Sequence, residues 1–288
     1  MLPRNRNASA QAVPVFMYHH VSPCGGALNV SPAHFAQQMA YLAQAGYTTL
    51  SADAFLQFIE GHAAAPPKSV LITFDDGYLD NYVYAYPILQ RFGLRAVIFA
   101  VTSWVGTGPA RAHADAGMPS LPACPDHGAC KAALAAGRQD EVIVRWSEIE
   151  TMEASGAIEI HSHTHRHLRW EQQFPHDEAA RLEAVAADLS QSRQTLLQRL
   201  GRADPQLCWP WGYFEPGYQT LAAQLGFRAQ YTTAPGLTTP HTPADRIARI
   251  VAKNKAGAWL GNRAWLYRHP VLGALYLKLS GKSMAAGG

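Results

Sequence analysis

Short apolar and β-branched runs alternate along the chain with stretches whose apolar residues recur at helical spacing. Val13–Met17, Val70–Thr73, Ala96–Val101, Ile158–Ile160, Gln206–Pro210, Phe227–Thr232 and Ile247–Val251 read as strands. Between them, Pro32–Ala45, Ala52–Gly61, Tyr82–Phe92, Trp146–Ser155, Asp177–Leu200 and Gly217–Leu225 carry helical periodicity, with Ser31-Pro32 and Ser51 as start signals. Gly46, Gly93, Gly156, Gly201 and Gly226 stand where helices end, as a left-handed C-cap requires. Repeated β–α alternation predicts an α/β fold: a parallel sheet covered by helices, closed or nearly closed into a barrel.

Two stretches break the rhythm. Residues from about 106 to 140, rich in Ala, Gly and Pro, form a long insertion after the third strand. In a barrel that insertion overhangs the mouth, where active sites lie. Beyond Lys255, the aromatic residues Trp259, Trp265 and Tyr267 precede an apolar run from Val271 to Leu279. Pro270 divides this region into two segments, neither able to span a bilayer, and basic residues beside aromatic and Leu positions fit an interfacial helix or an ordinary docking helix. The expected division is an N-terminal tail 1–12, a domain 13–254 carrying the insertion, and a basic amphipathic extension 255–288.

Composition narrows the class. With 288 residues, 48% of them hydrophobic, the chain has ample material for a core, which excludes disorder. A net charge of +3 is too small for a nucleic-acid partner. Its distribution matters more, because no acid follows Asp245, whereas Arg246, Arg249, Lys253, Lys255, Arg263, Arg268, Lys278 and Lys282 do. Such a tail suits an anionic surface, so membrane contact through residues 255–288 is expected. The segment from Met1 to Phe16 lacks the apolar run of a secretory signal, and no apolar stretch is long enough to span a membrane. The expected location is cytoplasmic, with a peripheral place on the inner membrane, and the four cysteines are expected to be reduced.

The sharpest chemistry lies in Thr73-Phe74-Asp75-Asp76-Gly77, directly after a strand. Adjacent carboxylates repel unless a cation or a proton relieves them. Alone, an Asp-Asp-Gly run is an ordinary turn. The run His161-Ser162-His163-Thr164-His165-Arg166-His167 changes that balance, since a carboxylate with two imidazoles holds a metal and leaves positions open for water and substrate. Both His161/His165 and His163/His167 have the same spacing. Cys124 and Cys130 match no familiar zinc module and read as incidental thiols in a flexible loop.

Four segments occur in a telling order: Tyr18-His19-His20-Val21, Thr73-Phe74-Asp75-Asp76-Gly77-Tyr78, His163-Thr164-x-x-His167 and Trp209-Pro210-Trp211-Gly212. From about Val13 to Ile250 the chain resembles the polysaccharide deacetylase family, also called the NodB-homology or carbohydrate esterase 4 family. The style of the first and last motifs is similar to its poly-N-acetylglucosamine deacetylase branch. The resemblance implies a distorted (β/α)7-type barrel and metal-dependent removal of N-acetyl, sometimes O-acetyl, groups from glycans. It implies Asp75 as general base and Asp76, His163 and His167 as ligands of one divalent ion, zinc first, with nickel, cobalt or iron as alternatives. His161 and His165 are then the alternative ligands.

The same resemblance places His19 in the active site, as the group that protonates the departing amine or orients Asp75. It nominates the Trp211 N–H for the oxyanion, and Tyr78, Trp209, Pro210 and Trp211 for substrate contact. Two departures stand out. Cys208 occupies the position where many members carry an Arg that orients the catalytic Asp, and no Leu-x-x-His motif follows Arg249. The expected function is de-N-acetylation of an N-acetylhexosamine in a cell-envelope glycan, a lipid-linked or lipopolysaccharide-core intermediate. An exopolysaccharide poly-N-acetylglucosamine deacetylase and an O-acetyl esterase are the alternatives, and a catalytically degenerate glycan-binding barrel is the non-enzymatic one.

Overall fold

The computed structural model describes residues 9–117 and 120–281. Seven strands build the main sheet: β1 (Val15–Tyr18), β2 (Ser69–Asp76), β3 (Ala96–Ala100), β4 (Ile158–Ser162), β5 (Gln206–Cys208), β6 (Ala229–Tyr231) and β7 (Ile250–Val251). Their order is β7-β1-β2-β3-β4-β5-β6, with every pair parallel. A parallel bridge from Tyr231 to Ile247, just ahead of β7, joins the two edges. The expected seven-unit, nearly closed barrel is therefore the fold.

The helices are α1 (Pro32–Gln44), α2 (Ala52–Ile59), α3 (Tyr86–Arg91), α4 (His127–Ala135), α5 (Trp146–Ala154), α6 (Trp170–Gln173), α7 (Glu178–Leu200), α8 (Pro216–Gln224), α9 (Gly257–Tyr267) and α10 (Pro270–Leu279). Ser31 and Ser51 cap α1 and α2 by accepting from His34 and Ala54 N–H groups. The single helix expected over Tyr82–Phe92 is split into a π-turn, Asn81–Ala85, followed by α3. Pro87 explains the break, because it has no N–H to donate to the preceding turn.

Strand periodicity sorts the core into two faces. Val70, Ile72 and Phe74 of β2 pack with Phe35, Met39 and Leu42 of α1. The intervening Leu71 packs instead with Val97, Phe99, Tyr231 and the apolar residues of α2. β2 runs through Asp76 rather than ending at Thr73, so both acidic residues are carried on the strand's rigid end.

The insertion is more ordered than its composition suggested. Asp126 caps α4 through Ala129 N–H at 2.9 Å, and Cys124 and Cys130 are buried rather than incidental loop thiols. Burial pushes the Cys130 thiol up to about 12. The insertion closes at its base, where Gly106 N–H donates to the Val144 carbonyl and the Gly106 carbonyl accepts from Trp146 N–H. Arg111 pins it further by a bidentate pair with the fully buried Glu148. Met118 and Pro119 of the insertion lie outside the described residues.

Of the expected tail 1–12, residues 1–8 lie outside the described residues, whereas Ala10 and Ala12 are packed. At the other end, α9 docks on α1. A Cβ at Gly257 would stand 2.3 Å from the Gln37 carbonyl oxygen, so only glycine admits this approach. Leu260, Ala264 and Tyr267 are buried beneath α9, whereas α10 turns Val271, Leu272, Leu275 and Leu279 outward. Residues 282–288 of the expected extension, including Lys282, lie outside the described residues.

Candidate active site

The C-terminal ends of β1, β2, β4 and β5 bring His19, Asp75, Asp76, Tyr78, His163, His167 and Trp211 of the sequence's candidates to one cavity of about 310 Å³. Asp76 Oδ1 lies 3.3 Å from His163 Nε2 and 3.3 Å from His167 Nε2. Donors held at about 2.0–2.1 Å around a tetrahedral ion stand about 3.4 Å apart, so this spacing fits a metal. His163 Nδ1 donates to the Cys208 carbonyl at 2.8 Å, which fixes the ring with its Nε2 turned toward Asp76. Burial pushes the Asp76 carboxyl up, but hydrogen bonds from the two imidazoles outweigh it and hold the group well below the usual carboxylate range.

His161 and His165 do not join this cluster. His161 Nδ1 pairs with the buried Asp204 at 2.8 Å. Burial alone would lower the His161 pKa, but the Asp204 charge raises it to about 9. His165 Nδ1 is 2.9 Å from the Thr102 hydroxyl. The spacing was ambiguous because both pairs share one period; the neighbours decide it, since only one pair faces Asp76.

The loop carrying His163 and His167 is held from below. Asp188 of α7 accepts from the His165 and Arg166 N–H groups, each at 3.0 Å. Burial raises its carboxyl to about 6. The Thr164 hydroxyl accepts from His167 N–H at 3.1 Å. Among the described residues, four of the six non-glycine positions with positive φ are here: Asp76 (73°), Thr164 (66°), His167 (54°) and Trp211 (54°). Each such conformation costs about 1–3 kcal/mol, and the surrounding bonds hold it in place.

Arg249 was missed as a site residue. Sequence reasoning counted it among the cations of a basic tail, yet it is fully buried. Its Nη1 and Nη2 bind the two Asp75 carboxylate oxygens at 2.6 and 2.7 Å, and its Nε donates to the Thr232 carbonyl. Nη2 also lies 3.1 Å from Cys208 Sγ. The guanidinium whose absence at position 208 looked like a departure is thus supplied from the segment before β7. Burial pushes the Asp75 carboxyl up, but the Arg249 charge and hydrogen bonds prevail and hold it below its ordinary value. Asp75, His163 and Cys208 could also cluster around an ion, but Arg249 already provides the cation there.

His19 Nε2 lies 3.8 Å from Asp75 Oδ2. Burial lowers its pKa despite the two nearby carboxylates, so its resting form is the neutral imidazole. Arg249, with two short hydrogen bonds to Asp75, holds that carboxylate more tightly than His19 does from 3.8 Å.

His20, the next residue, is structural. Its Nδ1 binds Asp80 at 2.6 Å, its Nε2 lies 3.1 Å from His127 Nδ1, and Tyr78 stacks on it at 3.9 Å. This chain ties α4 to the barrel, so that His127, Lys131 and Leu134 join the cavity wall.

The Trp-Pro-Trp-Gly segment divides its labour. Trp209 and Pro210, both expected to touch substrate, are buried and do not line this cavity. The indole N–H of Trp209 donates to Gln230 at 3.0 Å, and its ring packs with Leu207, Tyr218 and Phe227. Trp211 is half exposed, lies 4.2 Å from the His167 ring and lines the cavity, as does Tyr78. Gly212 completes the turn at φ 69°, where a Cβ would meet Thr233 Oγ1 at 2.3 Å. Trp104, unflagged by any motif, adds a second aromatic wall 5.1 Å from His167.

The family described as polysaccharide deacetylase matches residues 62–230, more than half of the chain. The chain is 25% identical over 253 residues to the poly-beta-1,6-N-acetyl-D-glucosamine N-deacetylase of Escherichia coli K12, covering 79% of this chain and 34% of that protein. Over 94 residues it is 39% identical to YxkH of Bacillus subtilis, which carries the same family's name. It spans about a third of the length of these curated relatives. Among solved structures, IcaB from Ammonifex degensii superposes with a TM-score of 0.69 at 22% identity, covering 90% of this chain and 98% of that one. A likeness at that identity bears on the fold.

Proposed function

This chain belongs to the polysaccharide deacetylase family, and we propose that it hydrolyses the N-acetyl amide of an N-acetylglucosamine-type sugar in a lipid-linked or lipopolysaccharide-core glycan. The observation that carries the hydrolase reading is the Asp76, His163 and His167 donor set beside an arginine-clamped Asp75. These three residues would hold one divalent ion, zinc ahead of nickel, cobalt or iron, by the nature of their donors. Bound there, the ion supplies Lewis-acid polarisation of the acetyl carbonyl and acidification of water.

The remaining work falls to the chain's own groups. Asp75, kept ionised and fixed in orientation by Arg249, accepts the proton of the attacking water. His19, neutral at rest and open to the cavity, takes over that proton from Asp75, 3.8 Å away, and delivers it to the departing amine, which returns both groups to their starting forms. Acetate and the free amine are the products. The Trp211 N–H is assigned to the oxyanion, and the rings of Trp104 and Trp211 to the two sides of the sugar.

Two features support a substrate at a membrane surface. α10 presents Val271, Leu272, Leu275 and Leu279 outward, with Val271 80% exposed. Arg268 and Lys278 flank that face, and no acid occurs after Asp245. No helix among the described residues is long and apolar enough to cross a membrane, so the contact would be interfacial, at the cytoplasmic face. The name of the Escherichia coli relative, a poly-beta-1,6-N-acetyl-D-glucosamine N-deacetylase, favours a poly-N-acetylglucosamine substrate instead, the exopolysaccharide alternative. Acetate release by the metal-loaded protein separates the two readings. Release from extracted lipopolysaccharide core well above that from N-acetylglucosamine oligomers is expected, and the reverse order would assign the exopolysaccharide.

A further inference from the structure

We propose that a second cavity, adjoining the catalytic one, binds a phosphate group of the substrate next to the acetylated sugar; this deepens the deacetylase reading and rests on it. The cavity, of about 190 Å³, lies between the 249–253 segment and the helices α9 and α10. Thr233 lines both it and the catalytic cavity, so the two adjoin at that residue. Three cations, Arg249, Lys253 and Arg263, stand in its wall, and no carboxylate does.

Arg249 is already committed to Asp75, which leaves Lys253 and Arg263 as the cations for a ligand. The Arg263 guanidinium lies 4.7 Å from the Tyr276 ring and 5.9 Å from that of Trp259. It has no acidic partner among the described residues. Flanking rings hold the guanidinium plane while leaving its N–H edges available, so little side-chain freedom is lost on binding. A planar fork beside a flexible ammonium is the donor arrangement that suits phosphate oxygens.

The position says which source of phosphate fits best. Tyr276 in the cavity wall belongs to α10, the same helix that turns Val271, Leu272, Leu275 and Leu279 outward. A phosphate that links a sugar to a membrane lipid would have its acyl or prenyl part at that apolar face and its sugar toward Thr233 and Asp76.

Calorimetric binding to the metal-loaded full chain tests the site without requiring turnover. The probes are the methyl glycoside of an N-acetylglucosamine disaccharide, the same disaccharide 1-phosphate, and that phosphate bearing a short prenyl chain. The 1-phosphate is expected to bind at least about tenfold more tightly than the neutral glycoside, the scale of one charge-assisted pair. That ratio should fall to about one in Lys253→Gln/Arg263→Gln, and Arg263→Lys should restore part of it. Bound-metal stoichiometry in each variant checks the fold. Tighter binding of the prenyl compound, reduced by Leu275→Ser, would assign the phosphate to a lipid carrier; equal binding of the two phosphates would assign it to a phosphorylated sugar.

Equal affinity of the wild type for the neutral and phosphorylated disaccharides would overturn the proposal. Acetate release, measured in parallel, reports separately on the deacetylase reading. Its absence from every probe overturns that reading whatever the binding ratio.

Discussion

Replacing Arg249 with Met should abolish acetate release and destabilise the protein by about 3–5 kcal/mol, the scale for removing one partner of a buried ion pair. The reason is geometric. The guanidinium makes both hydrogen bonds to Asp75, a third to Thr232 and a contact to Cys208, and is itself fully buried. Without it Asp75 keeps the burial that raises its pKa and loses the largest charge that lowers it, so its pKa rises and its orientation as a base is lost. Adding Asp75→Asn should recover much of the lost stability, because no buried charge is then left unpaired, while activity stays lost. Denaturant midpoints and acetate release for the two single variants and the double variant check this cycle. Asp75, held below its ordinary pKa in the native state, contributes stability above the unfolded Asp range; that contribution is lost as pH falls through the folded value. The acid limb of the stability curve should therefore be flatter in the double variant.

The second large effect concerns the histidines. Asp76→Ala, His163→Ala and His167→Ala should each lower metal affinity by far more than the roughly 10–100-fold typical of an outer partner. Asp188→Ala, which frees the His165 and Arg166 N–H groups, should fall within that outer-partner range. His165→Ala should keep the ion, since its ring bonds Thr102 and points away from Asp76. His161→Ala should also keep it but lose stability, because it strands the buried Asp204. Metal content after dialysis, with competition by a chelator, reads all six. Loss of the ion in His165→Ala, or its retention in His163→Ala, would reassign the donor set.

The parts of the site that were legible in the sequence are those carried on contiguous residues of rigid elements. The seven strands followed from apolar runs between helical periods, and the Asp75-Asp76 pair and the alternating histidines announced themselves by residue type. Arg249 did not, because its partner is 174 positions away. Its signal was a lone cation inside the apolar run Ile247–Val251, where a buried charge demands a partner. The Trp209–Pro210–Trp211 segment misled for a different reason. Trp209 ends a strand and packs inward, whereas the left-handed turn at Trp211 carries its ring out to the cavity. Composition hid α4 inside an Ala- and Gly-rich insertion, although Asp126 ahead of an Ala-rich stretch is a helix start. The His20–Asp80–His127 chain that anchors it joins three distant parts of the sequence and no spacing could give it.

The deciding measurement is acetate release by wild type and Asp75→Asn, each with its metal content determined, on N-acetylglucosamine oligomers and on lipopolysaccharide core. The account predicts one divalent ion per chain in both proteins, acetate from the wild type, and release from the variant reduced by at least about 100-fold, the lower range of a lost general base. An Asp75→Asn protein that binds the ion and releases acetate at the wild-type rate would contradict it.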